Sequence, residues 1–170
     1  MNTSGKPAIS FSRRAFVGGA AAASLAIVAP ETAFGAKANE RIKAGIVGLG
    51  GRGRMIASMV RDHGGFEITA VADYFSAIAE GVGEQFKVPR DQCFSGLSCD
   101  RKLIASGVEA VFLETPPYCF PDHAEAAVDA GCHVYMAKPV ACDVYGTNRV
   151  AEAGNRATAK KQVLLVDYQT

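Results

Sequence analysis

The chain has 170 residues, 49% of them hydrophobic, and its 18 Lys+Arg against 17 Asp+Glu leave a net charge of +1. The chain is near neutral, with no basic patch to suggest nucleic acid and no acidic tail. The length suits one domain once a short leader is set aside.

The leader comes first. Ser12-Arg13-Arg14-Ala15-Phe16-Val17 resembles a twin-arginine export signal. The uncharged stretch that follows, Ala15 to Ala29, has 15 residues, short of the roughly 20 that a spanning helix needs. Small residues suited to cleavage come next: Ala33 and Gly35, or Ala36 and Ala38. Residues 1–38 therefore read as a cleaved leader and linker, 39–170 as the mature domain, with no stable membrane span and an extracytoplasmic destination. The twin-arginine route carries folded proteins, often with cofactor bound.

Ile42 to Val47 is a short apolar run that reads as a buried strand. Gly48-Leu49-Gly50-Gly51-Arg52-Gly53 follows at once, and then Met55 to Val60 with apolar residues at helical spacing. Phe66 to Ala72 is a second strand, ending at Asp73, 20 residues past Gly53. A bare G-x-G-x-x-G is weak. Between a strand and a helix, with an acid at that distance, it marks a dinucleotide-binding βαβ unit.

Strands and helices then alternate. Helices are expected over Ser76 to Phe86, Ser98 to Ser106 with Ser98 as N-cap, Asp122 to Ala130, and Val144 to Thr158 with Asp143 as N-cap. Strands are expected over Gln92 to Phe94, Ala110 to Leu113, His133 to Met136 and Gln162 to Tyr168. This pattern predicts an α/β fold of Rossmann type, a doubly wound parallel sheet in a single domain.

Ligands in such sheets bind outside the carboxyl ends of the strands. Gly48, Gly50, Gly51, Arg52 and Gly53 follow the first strand, Asp73 the second, Thr115 and Pro116 the fourth, and Lys138 the fifth. Gly48 allows the tight turn, Gly50 lets the backbone approach a pyrophosphate, and Gly53 lets helix and strand come close. Asp73 is expected to accept hydrogen bonds from an adenosine ribose and to repel a 2′-phosphate, favouring NAD over NADP; the alternative is a turn or N-cap Asp. Arg52 either touches the pyrophosphate or is solvated. Lys138 is the catalytic candidate, since an ammonium beside a nicotinamide can polarise a substrate hydroxyl or carbonyl; Pro139 restricts its backbone. Glu114 either faces the cofactor or caps a strand. His123 and His133 read as structural.

The five cysteines, Cys93, Cys99, Cys119, Cys132 and Cys142, form no CxxC. Cys132 and His133 are neighbours in a strand and point to opposite faces, which argues against a shared metal ion. All five read as ordinary small residues, and no metal is expected.

The fingerprint, Val71-Ala72-Asp73, Thr115-Pro116-Pro117, Asp129-Ala130-Gly131-Cys132-His133-Val134 and Lys138-Pro139 together resemble the Gfo/Idh/MocA oxidoreductases, the glucose–fructose oxidoreductase and inositol dehydrogenase type, over roughly Arg41 to Thr170. The resemblance implies hydride transfer between NAD(P) and a carbon of a sugar, polyol or related molecule. Some relatives use the same redox step to cleave glycosides. It implies that Lys138 matches the lysine of the family's Glu-Lys-Pro motif, with Ala137 in place of the Glu. Phe120 stands where a His commonly follows the Thr-Pro segment. Family enzymes continue into a second α/β domain that shapes the substrate pocket. The chain is therefore expected to be the cofactor half, inactive alone and prone to form a homo-oligomer or engage a partner chain. The alternatives are an NAD-dependent glycosidase-type relative, a hydrolase, and a non-catalytic nucleotide-binding or interaction module.

Overall fold

The computed structural model describes residues 41–168, so the expected leader lies outside the described residues. Six strands follow in chain order: β1 (Ile42–Val47), β2 (Phe66–Asp73), β3 (Cys93–Ser95), β4 (Ala110–Leu113), β5 (His133–Ala137) and β6 (Leu164–Asp167). Neighbours are parallel throughout, and the order across the sheet is β3-β2-β1-β4-β5-β6. The chain builds outward from β1 on one side and then returns to build β4 to β6 on the other. That is the doubly wound order, whose crevice opens at the carboxyl ends where the direction reverses.

Five helices connect the strands: α1 (Gly51–His63), α2 (Ser76–Phe86), α3 (Cys99–Ala105), α4 (Phe120–Asp129) and α5 (Val144–Ala159). The two-residue period of each strand sorts its side chains between two cores. Ala44, Ile46, Ala110 and Phe112 join Ile56, Ala57 and Val60 of α1 and Val82 of α2. Val47, Val111 and Leu113 join Leu103 of α3, Val128 of α4 and Val150 of α5. With both faces covered, the carboxyl-terminal halves of β1 and β2 and the whole of β4 are buried, and nearly all their residues are apolar, as in parallel strands generally. Each fully buried Val, Leu or Ile contributes about 1.5–3 kcal/mol of burial free energy.

The expected elements are all present, with shifted ends. Helix α1 begins inside the fingerprint, at Gly51, because Gly50 in extended conformation caps it. Strand β3 starts at Cys93, since Arg90–Gln92 is a 3-10 turn. Helix α4 starts at Phe120, two residues before the expected Asp122, with Pro121 in its first turn, where a missing N–H costs nothing. Ser98 occupies the cap position of α3 but its side chain makes no capping bond, whereas Asp143 accepts from Gly146 N at 2.6 Å. Strand β6 starts at Leu164 and not at Gln162. The Gln162 amide is drawn aside to the carbonyls of Cys132 (2.7 Å) and Val128 (3.2 Å), and His133 Nδ1 accepts from Val163 N at 3.0 Å. His133 is thus structural, fastening the start of β6 to that of β5. Cys132 is buried, its Sγ 3.3 Å from Val108 O, and Cys93, Cys99, Cys119 and Cys142 are likewise unbridged.

Candidate functional site

The turn after β1 is shaped by close approaches. Gly48 has φ +89, and a Cβ there would lie 2.7 Å from the backbone of Glu114. At Gly53 a Cβ would lie 1.8 Å from Gly48 O. A Cβ on Gly50 or Gly51 would meet no protein atom within 4 Å. Two glycines of the fingerprint are therefore required by the protein itself, and Gly50 leaves open space on the side of the cleft. The cap at Gly50 uses no side chain, so the first-turn N–H groups of α1 stay available to an anion.

Asp73 ends β2 and clamps this turn. Its Oδ2 accepts from Leu49 N at 2.8 Å and its Oδ1 from Phe75 N at 3.0 Å. It is 9% exposed and lines the cleft. The turn-forming role and the ligand-facing position coexist, because a carboxylate has about four lone-pair sites and only two are taken.

The cleft occupies about 830 Å³, within the usual range for a small-molecule site. Gly48 and Gly50 floor one side, Asp73 and Tyr74 another, and Thr115 and Pro116 close it from β4. Tyr74 and Phe75 stand edge to face at 5.0 Å and, with Leu97 at 88% exposure, give its rim an apolar surface large enough for a planar base. Neither the aromatic pair nor Leu97 was among the sequence candidates. The signal was present in part, as Tyr74 and Phe75 directly follow a strand end.

Arg52 neither lies in solvent nor stands as a lone cation awaiting phosphate. Its Nε lies 2.9 Å from Glu114 Oε2, and its Nη2 pairs with Asp167 Oδ2. The Glu114 side chain, directly after β4, is fully buried, and its Oε1 has no hydrogen-bond partner. Burial pushes the Glu114 carboxyl above the usual carboxylate range, and the Arg52 charge opposes that rise. Ala137 pairs in register with Asp167. Arg52 therefore ties the fingerprint helix to the ends of both β4 and β6.

Lys138 immediately follows β5 and is exposed; its peptide bond to Pro139 is cis. The pairing of Leu113 with Met136 sets it at the same sheet edge as Thr115. It is not on the cleft wall. The structure thus gathers Gly48, Gly50, Asp73, Thr115 and Pro116 around one cleft and holds Lys138 off its wall, at the same carboxyl edge of the sheet. His123, on α4, also reaches the cleft, with Nδ1 3.2 Å from Thr115 Oγ1. Among the described residues no group of three or more His, Cys, Asp or Glu is arranged for a metal ion.

The family model described as an oxidoreductase family with an NAD-binding Rossmann fold, Gfo/Idh/MocA, matches residues 42–168. The chain belongs to the Gfo/Idh/MocA family. Residues 42–168 are the NAD-binding Rossmann domain of this oxidoreductase family. An oxidoreductase from Thermotoga maritima is 29% identical, with a TM-score of 0.61, over 75% of this chain and 37% of its own. The WlbA dehydrogenase from Bordetella pertussis, solved with NADH and UDP-GlcNAcA, is 25% identical, with a TM-score of 0.64, over 75% and 36%. The myo-inositol 2-dehydrogenase of Lactobacillus plantarum is 21% identical with a TM-score of 0.66, over 75% and 36%, and supports the fold alone. This Gfo/Idh/MocA chain therefore spans little more than a third of the length of these solved relatives. No curated protein matches it.

Proposed function

We propose that the protein is the cofactor half of an exported oxidoreductase that moves a hydride between NAD and a carbon of a sugar, polyol or related molecule. The observation that carries this reading is the meeting, at one sheet edge, of a helix N-terminus with no side-chain cap, a carboxylate at the end of β2 and a lysine just after β5. The nicotinamide supplies the hydride acceptor when bound. The first-turn N–H groups of α1 hold the pyrophosphate, and Asp73 accepts from the adenosine ribose. Lys138 holds and moves the proton of the substrate hydroxyl. A second domain or a partner chain supplies the remaining pocket walls. The side chains of Leu165 and Tyr168 on and just after the outer strand, more than half exposed, and the exposed pair Tyr118 and Tyr145 are suited to being covered by it.

Titration with both cofactors tests the reading. The unmodified chain is expected to bind NADH about tenfold or more tightly than NADPH, because the Asp73 charge repels a 2′-phosphate. Asp73→Ala narrows that ratio. It also releases the Leu49 and Phe75 N–H groups, costing about 1–3 kcal/mol of stability. Equal affinity of the unmodified chain for the two cofactors overturns this assignment.

Export has its own test. Replacing Arg13 and Arg14 by Lys preserves charge and is expected to stop transport through a route that reads the arginine pair. Export of the double-Lys variant at the original level would assign the leader to another route.

A further inference from the structure

Three polar side chains that are distant in sequence meet under the cleft. Thr115 follows β4, His123 lies on α4 and Asp100 on α3. Thr115 Oγ1 is 3.2 Å from His123 Nδ1, and His123 Nε2 is 3.8 Å from Asp100 Oδ2. Asp100 is 4% exposed, and the His123 side chain is 13% exposed. Thr115 and His123 both line the cleft that also holds Asp73.

The charge of Asp100, at an ion-pair distance and not a hydrogen-bond one, sets which way this chain of groups runs. The Asp100 carboxylate favours the tautomer with the proton on Nε2, so Nδ1 is the acceptor. The Thr115 hydroxyl then donates to Nδ1. Its hydrogen is committed, and what Thr115 offers the cleft is a lone pair. We propose that His123, braced by Asp100, is a positioning residue that fixes Thr115 Oγ1 as a hydrogen-bond acceptor, so that the site takes a hydroxyl or amino donor from the adenosine half of the dinucleotide. The adenosine half is assigned because the same cleft carries Asp73 and the apolar rim of Tyr74, Phe75 and Leu97. The inference rests on the reading that this cleft holds NAD.

Protonation inverts the arrangement. An imidazolium donates from both nitrogens, so Thr115 must accept from Nδ1 and turn its own hydrogen toward the ligand, where donor meets donor. The charged groups facing His123 are Asp100 and Arg101 of α3 and Asp122 of its own helix; the thiols of Cys99 and Cys119 also border the cleft. Burial and Arg101 favour the neutral ring, while Asp100 and Asp122 favour the charged one, and the net displacement is downward. The acceptor state therefore prevails at neutral pH and is lost on acidification.

The test is titration of the full chain with NADH, ADP-ribose and nicotinamide mononucleotide between pH 5 and 8, with thermal unfolding run on every variant. The unmodified chain is expected to bind NADH and ADP-ribose more weakly as pH falls through the His123 transition. Thr115→Val lowers affinity for both about 3- to 10-fold at neutral pH and flattens the pH profile. Thr115→Ser, which keeps the hydroxyl, retains affinity and profile. His123→Asn, whose amide oxygen can accept in place of Nδ1, retains neutral-pH affinity without the pH dependence. Affinity of Thr115→Val equal to that of the unmodified chain overturns the proposal, as does a pH profile that persists in His123→Asn. Weakening confined to nicotinamide mononucleotide overturns the adenosine assignment. Failure of the unmodified chain to bind either NADH or ADP-ribose overturns this inference together with the cofactor reading beneath it.

Discussion

Gly53→Ala is expected to destabilise the domain by about 3 kcal/mol or more, lowering its melting temperature by roughly 10–15 °C. The added Cβ would sit 1.8 Å from the carbonyl oxygen of Gly48, a backbone atom that no rotamer change can move. Relief requires α1 to withdraw from the turn, which also disturbs Leu49 and its bond to Asp73. Gly50→Ala is the informative contrast. Gly50 has φ −66, and its Cβ would project into empty space beside the cleft. Its stability is expected to stay within about 0.5 kcal/mol of the original. NADH affinity is expected to fall tenfold or more, because the methyl group occupies the approach of the pyrophosphate. Thermal unfolding and NADH titration of the two variants separate the glycine that the fold requires from the one that the ligand requires. Equal loss of stability in both would show that Gly50 too is needed by the protein alone.

The second large effect belongs to Lys138. In an assembly that supplies the substrate walls, Lys138→Ala is expected to reduce kcat about 10²- to 10⁴-fold, the range for loss of a positioned acid–base group. NADH affinity is expected to be unchanged, because Lys138 stands off the cleft wall. Lys138→Arg is expected to fail as well, since a guanidinium does not release its proton in proteins. Steady-state rates and a separate NADH titration give the two readouts. A Lys138→Ala variant that loses cofactor affinity but keeps kcat would move this lysine from the chemistry to the cofactor.

The parts of the molecule legible in the sequence are those written locally. Gly48 to Gly53 declares itself because the turn needs its glycines next to one another. Each central strand declares itself because it is apolar on both faces. Asp73 was legible by its distance from the fingerprint. The rest depends on strand order. Arg52, Glu114 and Asp167 are scattered along the chain and meet because β1, β4 and β6 run parallel and bring their carboxyl ends to one edge, which the Arg52 side chain spans. No local pattern distinguishes such an arginine from one held for a phosphate. His123 looked structural because its partners, Thr115 and Asp100, come from a strand end and a different helix. The start of β6 was misplaced because Gln162 continues an apolar run in sequence while its amide is captured by two carbonyls far away in the chain.

The Arg52 clasp has a thermodynamic consequence. The turn that presents N–H groups to a pyrophosphate is bonded through Arg52 to Asp167, the last residue of an edge strand. Edge strands open locally at less free energy than the centre of a sheet. A ligand that holds the first turn of α1 in place therefore also slows the fraying of β6, and anything docked on β6 tightens the hold on the dinucleotide by the same factor, because coupling between two binding events is reciprocal. Amide exchange along Leu164–Asp167 would then report occupancy of a cleft whose nearest wall, after β4, lies beyond β5.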